Sequence, residues 1–509
     1  SGSITMQELK FIIRHLALGK APGPIGQLPA EVWRHAPDQV LEIVLETVNA
    51  ALSGEQQPDL WKGGRISFLL KKQELKLLKN WRPITLLELS YKIFSIIITK
   101  RLQRIAEYYH IYDESQEGFR QGKSTRRQIE RINQILHAQK RSKKQVYIAY
   151  VDFSNAFNSV DVPAMLHILQ QLNFPDIHIL KEMYRDSWYQ ASTIYGVTAK
   201  IPLTRGTKQG DPASPTIFNL VLNICLRMLS MSGEGVITPV GRHNTGAYAD
   251  DMTLIANTPN GLDHLLNKVI DPFCIFTSLE VNVSKTEISA FDYNTNARLP
   301  TESIRYRGQT LPYLAPDQPF KYLGIGLQLN LDPTKAAEAV IERTSEAVEC
   351  LNHGQIFTTE QLTMLLQTCI IPIFRYSAPL LQWTENQLQE IEFLWLRGLK
   401  YAYHLAPNNP APPLYLSPTH GGLGSKSAKE YLMKELVIHI NQCMQRDDEL
   451  RLLIINITKE ELADTGHTTL HQAFHPDNHN WNDEALGRAS PILRLQRYLR
   501  QTEIGRAHV

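Results

Sequence analysis

Apolar residues recur at helical spacing from Met6 to Leu18 and stop at Gly19. Ala21-Pro22-Gly23-Pro24-Ile25-Gly26 then breaks the pattern, because Pro fixes φ and Gly frees it where a helix cannot continue. The spacing predicts one amphipathic helix over Glu31–Leu52, ending near Gly54, and a strand over Arg65–Leu70. A basic loop follows, then a long apolar-faced helix from about Leu86 to Tyr109. Val146–Phe153 is β-branched and aromatic enough for a buried strand, and Val160–Tyr184 predicts one or two helices. Asn219–Met231 predicts another helix. Val236–Val240, Ala247 and Met252–Ala256 read as strands, as do Leu279–Ser289 and Phe320–Gly326. From Pro333 onward the pattern is helical. Prolines 407, 410, 412, 413 and 418, then Gly421-Gly422-Leu423-Gly424, mark a boundary before a C-terminal region. The period therefore predicts a mixed α/β centre followed by a helical tail.

Composition adds little to that picture except through its distribution. At 509 residues the chain calls for two to four subdomains, and 43% apolar with 20% charged residues is ordinary for a globular protein. The formal net charge is only +2, yet two stretches are strongly basic. Lys62 to Arg82 holds seven Lys/Arg against the single acid Glu74, and Gly118 to Lys144 holds nine against the single acid Glu130. Such clusters suit a polyanion, because each phosphate contact releases counterions; they equally suit solvated helix faces. Five scattered cysteines without a CxxC pair predict reduced thiols and no structural zinc. No eighteen-residue apolar run is evident, Ile93–Ile98 is too short to span a bilayer, and no membrane partner is expected. Ser1-Gly2-Ser3 reads as a linker, and residues 503–509 read as a translated sequencing adapter, a non-native tail.

The candidate chemistry starts with carboxylates. Asp250 and Asp251 adjoin in Tyr248-Ala249-Asp250-Asp251, and Asp152 ends the run Val146–Val151 roughly a hundred residues upstream. Adjacent carboxylates repel, so a pair at a tight hairpin tip facing a third calls for divalent cations. Oxygen-only ligands favour Mg²⁺ or Mn²⁺, and two such ions can clamp both ends of an in-line phosphoryl transfer. Gly118-Phe119-Arg120-Gln121-Gly122-Lys123-Ser124-Thr125 imitates a phosphate-binding P-loop but has three residues between its glycines where four are needed. Arg205–Pro215 contains two glycines that allow close backbone approach to a ligand, with Gln209 able to donate and accept.

Taken in order, these blocks resemble the reverse transcriptases of non-LTR retrotransposons, the LINE and R2-like group. The series runs through the Ala-Pro-Gly-Pro turn, Leu70-Lys71, Trp81-Arg82-Pro83-Ile84 and Gln116–Ser124. It continues through Asp152-Phe153-Ser154-Asn155-Ala156-Phe157-Asn158, Gln209-Gly210-Asp211-Pro212, Tyr-Ala-Asp-Asp, Leu279–Lys285 and Phe320-Lys321-Tyr322-Leu323-Gly324. The resemblance implies an α+β fold of the right-hand polymerase type: fingers, a palm with an antiparallel sheet, and a helical thumb, preceded by a helical N-terminal extension. The implied boundaries are residues 4–60 for the extension, 61–145 for the fingers and 146–330 for the palm, with finger helices inserted at about 160–200. The thumb would be 331–405 and a C-terminal linker or helical region 406–502.

Carried over position by position, the resemblance implies that Asp152, Phe153, Asp250 and Asp251 hold two Mg²⁺ ions, and that Phe153 also lies against the dNTP. Lys71 and Arg82 would grip the incoming dNTP, and Gln209 and Gly210 would line its pocket. Phe157 would exclude a 2′-OH, and Lys285 would protonate the departing pyrophosphate. Phe320, Tyr322, Leu323 and Gly324 would form a primer grip; Phe119, Arg120, Lys123 and Arg126 would meet the template. The implied partners are an RNA template, a DNA or RNA primer and dNTPs, with a separate endonuclease to make the primer end and a nuclear setting. Asn158 stands where the family usually has Asp, Leu70 where Pro is common and Trp81 where Tyr is common; none of these is a metal ligand. Other readings remain open at this stage: a non-catalytic RNA-binding protein on a polymerase scaffold, a group II intron maturase-like enzyme, or a domesticated reverse transcriptase.

Overall fold

The computed structural model describes residues 2–23, 28–70, 76–77, 80–352, 357–474 and 489–500. Pro24, Ile25 and Gly26 of the first turn, the candidate Lys71, and the 503–509 tail lie outside the described residues. The chain divides into two compact units. The first comprises residues 1–119, 151–233 and 264–285, the second residues 120–150, 234–263 and 286–509.

The first unit opens with a helix at Met6–Arg14, fixed by a reciprocal cap in which Thr5 and Glu8 satisfy each other's backbone N–H groups. The expected single helix over 31–52 is two helices, Ala30–Arg34 and Asp38–Ser53. Pro37 causes the break: it has no N–H to donate and pushes the residue before it out of the helical region. A sheet follows in the order Trp81–Leu87, Gly63–Leu70, Trp188–Thr193, Gly196–Val197. The helix expected from Leu86 begins instead at Leu89, where Glu88 caps it through the Tyr91 N–H. The residues before Glu88 form the strand Trp81–Leu87, antiparallel to Gly63–Leu70, with Leu69 opposite Arg82. Residues 160–184 resolve into helices Val162–Gln171 and Ile177–Tyr184.

Ser214–Met231, longer than the expected Asn219–Met231, is the one helix among the described residues long and apolar enough to cross a membrane. Two thirds of it is buried in the protein, as a core helix would be. The strand expected over 279–289 is a loop as far as Thr286. Only Phe153 and Val281 bridge there, because a turn from Asn282 to Lys285 interrupts the extension.

The second unit is built on a sheet in the order Ala297–Arg298, Glu287–Asp292, Gln145–Val151, Asp251–Ala256, Thr245–Tyr248. Gln145–Val151 is buried on both faces beyond its first residue, as its unbroken apolar run predicts. The helix Thr125–Arg141 lies in the same core: Ile129, Ile132, Ile135 and Leu136 share one cluster with Val146, Ile148, Phe374, Trp383, Leu432 and Tyr498. Ser124, the serine of the false P-loop, is the N-cap of this helix. The Phe320–Tyr322 and Ile325–Leu327 strands form a separate hairpin. The helical half contains Thr334–Asn352, Glu385–Ala402, Ala428–Met444 and Glu449–Asp464. Thus the region past the Gly421–Gly424 boundary packs into the unit's main core and is not an appended tail.

Candidate active site

The aspartate pair sits on a hairpin whose register leaves no slack. Tyr248 pairs with Asp251 and Ala247 with Met252, so Ala249 and Asp250 alone form the turn. Ala249 adopts φ +54°, the left-handed region that costs a non-glycine residue about 1 kcal/mol and gathers at functional turns. Asp250 is half-buried and Asp251 exposed. The neighbouring strand, Gln145–Val151, runs out directly into Asp152.

In the first unit, the stretch after Asp152 is held against residues 280–282. Asn282 N donates to the Asp152 carbonyl at 2.7 Å, Ser154 N donates to the Glu280 carbonyl at 2.8 Å, and Phe153 bridges Val281. This ladder brings Lys285 Nζ to 3.8 Å from Asp152 Oδ2, with both side chains well exposed. A cation that close to an exposed carboxylate adds modest attraction in water, so the pair is geometry without much stability.

Gln209 and Gly210 join the strand that carries Arg82. Thr85 N donates to the Gln209 carbonyl at 2.7 Å. Gly210 has φ +112°, and a Cβ there would lie 2.5 Å from the Thr85 carbonyl oxygen, so only glycine fits. Gln209 Oε1 is buried without a hydrogen-bond partner, an acceptor left available. Arg82 is exposed on its strand.

Two residues the motif quoted but assigned no role lock this loop from below. Asp211 accepts from Tyr91 Oη at 2.6 Å and from Ser95 Oγ. Lys208 is buried, donates to the Met183 carbonyl at 2.9 Å, and lies over the rings of Tyr91 and Tyr184. Burial pulls its pKa down to about 8, opposed by the charge of Asp211. Phe157 stacks on Phe218 with centroids 4.3 Å apart and meets Phe119 edge-on at 6.5 Å. It is half-buried, and its carbonyl accepts from Thr207 N at 2.7 Å.

The Phe320–Leu327 hairpin turns through Leu323 and Gly324, both at positive φ (+48° and +89°), a two-residue connection of the kind that matches strand twist. Tyr376 braces it by donating to the Leu323 carbonyl at 2.6 Å. Phe320 stacks on Tyr150 at 3.8 Å, and Tyr322 is buried.

The residues expected to meet the template divide. Phe119 is about half exposed, at 48%. Arg120 is buried, Lys123 pairs with Asp448 at 3.2 Å with its side chain 1% exposed, and Arg126 pairs with Glu435 at 2.8 Å. The structure thus engages three of the four inside the protein. No local signal could have shown this, because the acids lie some 300 residues away.

Residues 69–327, just over half the chain, match the family described as reverse transcriptase (RNA-dependent DNA polymerase). The chain belongs to this family. Its relatives are proteins of non-LTR retrotransposons, and the right-hand polymerase fold comes with that membership. It is 24% identical over 436 residues to the Retrovirus-related Pol polyprotein from type-2 retrotransposable element R2DM of Drosophila melanogaster, covering 84% of this chain and 39% of that protein. It is 24% identical over 391 residues to the R2 polyprotein of Popillia japonica, covering 75% and 53%. With the RNA-directed DNA polymerase from mobile element jockey of Drosophila melanogaster it shares 25% over 338 residues, covering 65% and 36%. The chain therefore spans about half or less of the length of these relatives.

Reverse transcriptases work with divalent metal ions. Among the described residues no group of three or more His, Cys, Asp or Glu side chains is gathered into a cage. Each unit offers solvent-reached carboxylates: Asp152 in the first, Asp250 and Asp251 in the second. An all-oxygen set of this kind fits a hard divalent cation that keeps part of its water shell.

Proposed function

We propose that this protein is an RNA-directed DNA polymerase that extends a primer 3′-OH with dNTPs on an RNA template. The observation that carries the reading is the Asp250–Asp251 pair, Asp250 in a two-residue hairpin turn and Asp251 opening the strand after it, in the sheet whose neighbouring strand runs out at Asp152, inside the segment that matches the family.

In this reading Asp152, Asp250 and Asp251 hold two Mg²⁺ ions. Bound there, the ions lower the pKa of the primer hydroxyl and neutralise charge on the transferring phosphoryl group. Lys285, 3.8 Å from Asp152, delivers a proton to the departing pyrophosphate. Arg82, with Lys71, grips the triphosphate of the dNTP. The partnerless Gln209 Oε1 and the bare backbone of Gly210 line the nucleotide pocket, which supports that assignment. Phe157, held by Phe218, stands under the sugar and rejects a 2′-OH. The Phe320–Gly324 turn carries the primer end. Residues 61–145, 146–330 and 331–405 then correspond to fingers, palm and thumb.

Primer extension on an RNA template with Mg²⁺, offering dNTPs or rNTPs, tests the proposal. DNA product is expected from dNTPs, and Asp250→Ala is expected to reduce it by about 10³-fold or more. A folded, RNA-binding protein that incorporates no nucleotide sinks it.

A further inference from the structure

The Phe320–Gly324 segment is anchored differently along its strand and at its turn. Along the strand, Phe320 stacks on Tyr150 at 3.8 Å. Tyr322, expected in the primer grip, is 3% exposed and accepts from Gln128 Nε2 at 3.1 Å. At the turn, Leu323 and Gly324 both adopt positive φ, +48° and +89°, the pattern that a two-residue hairpin favours with asparagine followed by glycine. Glycine takes that conformation freely. A leucine does not, because its Cβ crowds the following carbonyl, and it stays there only where neighbouring structure holds it.

The holding group is Tyr376, on the helix Ile371–Ser377, 53 residues further along the chain. Its Oη lies 2.6 Å from the Leu323 carbonyl oxygen and 2.9 Å from Thr125 Oγ1. The carbonyl can only accept, so the single phenolic proton goes to it; between the two hydroxyls, Thr125 then supplies the proton. The ring is as well placed as the hydroxyl. A Cβ on Gly324 would lie 3.4 Å from Tyr376 Cε1, so the ring packs on the bare side of the turn. The Arg126 guanidinium stands 5.5 Å from the ring centroid and is itself held by Glu435 at 2.8 Å. Tyr376 thus meets the strained peptide with a hydroxyl and a ring that are both already fixed. The bond is partly buried, so deleting it leaves a carbonyl that water replaces poorly.

We infer that Tyr376 is a positioning residue, whose hydroxyl holds the Leu323–Gly324 turn in its left-handed conformation and so sets where the primer terminus lies. This rests on the polymerase reading above, in which that turn carries the primer end. A terminus held slightly out of line reacts more slowly although the duplex binds as before. Direct contact of Tyr376 with the primer would weaken duplex binding instead. A purely structural role would lower the thermal midpoint and leave the rate alone.

The test is a double-mutant cycle between Tyr376→Phe and Leu323→Asn. It measures kcat and KM for dNTP incorporation, primer–template Kd by fluorescence anisotropy, and the thermal midpoint. Tyr376→Phe keeps the ring and deletes one hydroxyl; it is expected to lower kcat about tenfold while primer–template Kd stays within about twofold. Leu323→Asn has whatever rate the loss of the leucine leaves, and it gives the turn the Asn-Gly sequence that holds positive φ unaided. In that background Tyr376→Phe is expected to change kcat by less than about twofold. Where Leu323→Asn makes too little DNA to measure, Leu323→Gly takes its place with the same expectation. Unchanged kcat in Tyr376→Phe overturns the inference. So does a loss confined to primer–template Kd, which would make Tyr376 a direct contact. An equal loss of kcat in both backgrounds also overturns it, because the hydroxyl would then act on something other than the strained turn. A wild-type chain that makes no DNA overturns the polymerase reading itself, and the inference falls with it.

Discussion

Two basic clusters look alike in the sequence and have opposite fates in the fold. Among the described residues of the cluster from Lys62 to Arg82, Arg82 and Lys76 face solvent, Arg65 keeps a buried Nε without a hydrogen-bond partner, and Lys62 pairs with its helical neighbour Asp59. In the cluster from Gly118 to Lys144, the charges from Arg120 to Arg131 turn inward, while Lys140, Lys143 and Lys144 stay exposed. Lys123 and Arg127 share Asp448, Arg126 meets Glu435, Arg131 meets Glu449, and Arg141 meets Glu460 and Asp464. Arg127 also donates to the carbonyls of Gln442 and Cys443, and Arg131 to that of Thr245. A run of like charges therefore says that counter-charge is needed, and not whether it comes from a ligand or from the same chain. Here the second cluster fastens the Thr125–Arg141 helix to the Ala428–Met444 and Glu449–Asp464 helices, which gives those two helices a structural role.

The sharpest way to break the comparison is to remove one half of the most buried pair. Arg127 has no exposed surface, and the Asp448 side chain is 5% exposed. Arg127→Ala leaves Asp448 buried, with Lys123 at 3.2 Å and Arg446 at 4.0 Å as its remaining cations, and takes a donor from the two carbonyls. It is expected to cost about 3–5 kcal/mol, read as a lowered urea midpoint at unchanged slope. The mirror experiment is Arg82→Ala in the first cluster. There stability is expected to move by no more than about 0.5 kcal/mol, while kcat/KM for dNTP falls about 10- to 100-fold, mostly through KM. If Arg82→Ala unfolds the protein and Arg127→Ala does not, the two clusters have been assigned the wrong way round.

What the sequence showed and what it hid follow the same division. Local features carried the strands at 65–70, 146–151 and 252–256, the Asp-Asp hairpin and the close approach at Gly210, because turn chemistry and period-two patterning act over a few residues; they missed Trp81–Leu87 and Trp188–Thr193. Lys285 beside Asp152 was legible only through the order of the motifs; the ladder of 152–154 on 280–282 supplies the physical reason. The break at Pro37 was legible in principle, since proline removes the donor a continuous helix needs. The inward turn of Lys123, Arg126 and Arg127 was not, because their acids lie at sequence separations of 325, 309 and 321. Tyr322 was picked out by its motif, yet its burial and its link to Gln128 depend on a helix nearly 200 residues earlier.

A smaller effect tests whether the clamp is electrostatic. Burial alone would raise the Glu449 carboxyl. Arg131, together with the hydrogen bond and charge of His243, instead holds it well below the usual carboxylate range. A depressed folded-state pKa contributes stability that is fully present above the unfolded value, near 4.5, and is lost as pH falls from there toward the folded value. Glu449→Gln is therefore expected to destabilise the protein by about 1–3 kcal/mol at pH 7. The gap to wild type should narrow below about pH 4. Urea midpoints at pH 7, 5 and 3.5 read it directly, and a gap that stays constant would mean that packing, not charge, holds this contact.

The smallest expected change is also the most telling, because it is a change in slope. If the second cluster neutralised template phosphates, removing one of its cations would lower the salt dependence of RNA binding by about 0.7 per lost contact on a single strand. Arg126 is the fair choice. Its side chain keeps 16% of its surface, and it sits between Glu435 and the Arg375 carbonyl, to which it donates at 2.7 Å. Arg375 pairs with the same Glu435, so the acid retains a cation when Arg126 is lost and the fold should survive. Arg126→Gln is expected to leave the plot of log K against log salt parallel to wild type, with at most a small uniform offset. Arg82→Gln, measured on the same RNA–DNA hybrid with dNTP present, should flatten it. Parallel lines for Arg126 with a flattened line for Arg82 place the polyanion at the first cluster alone. A flattened line for Arg126 would show that its ion pair with Glu435 opens to admit the template, and that the clamp is a gate for nucleic acid as well as a brace.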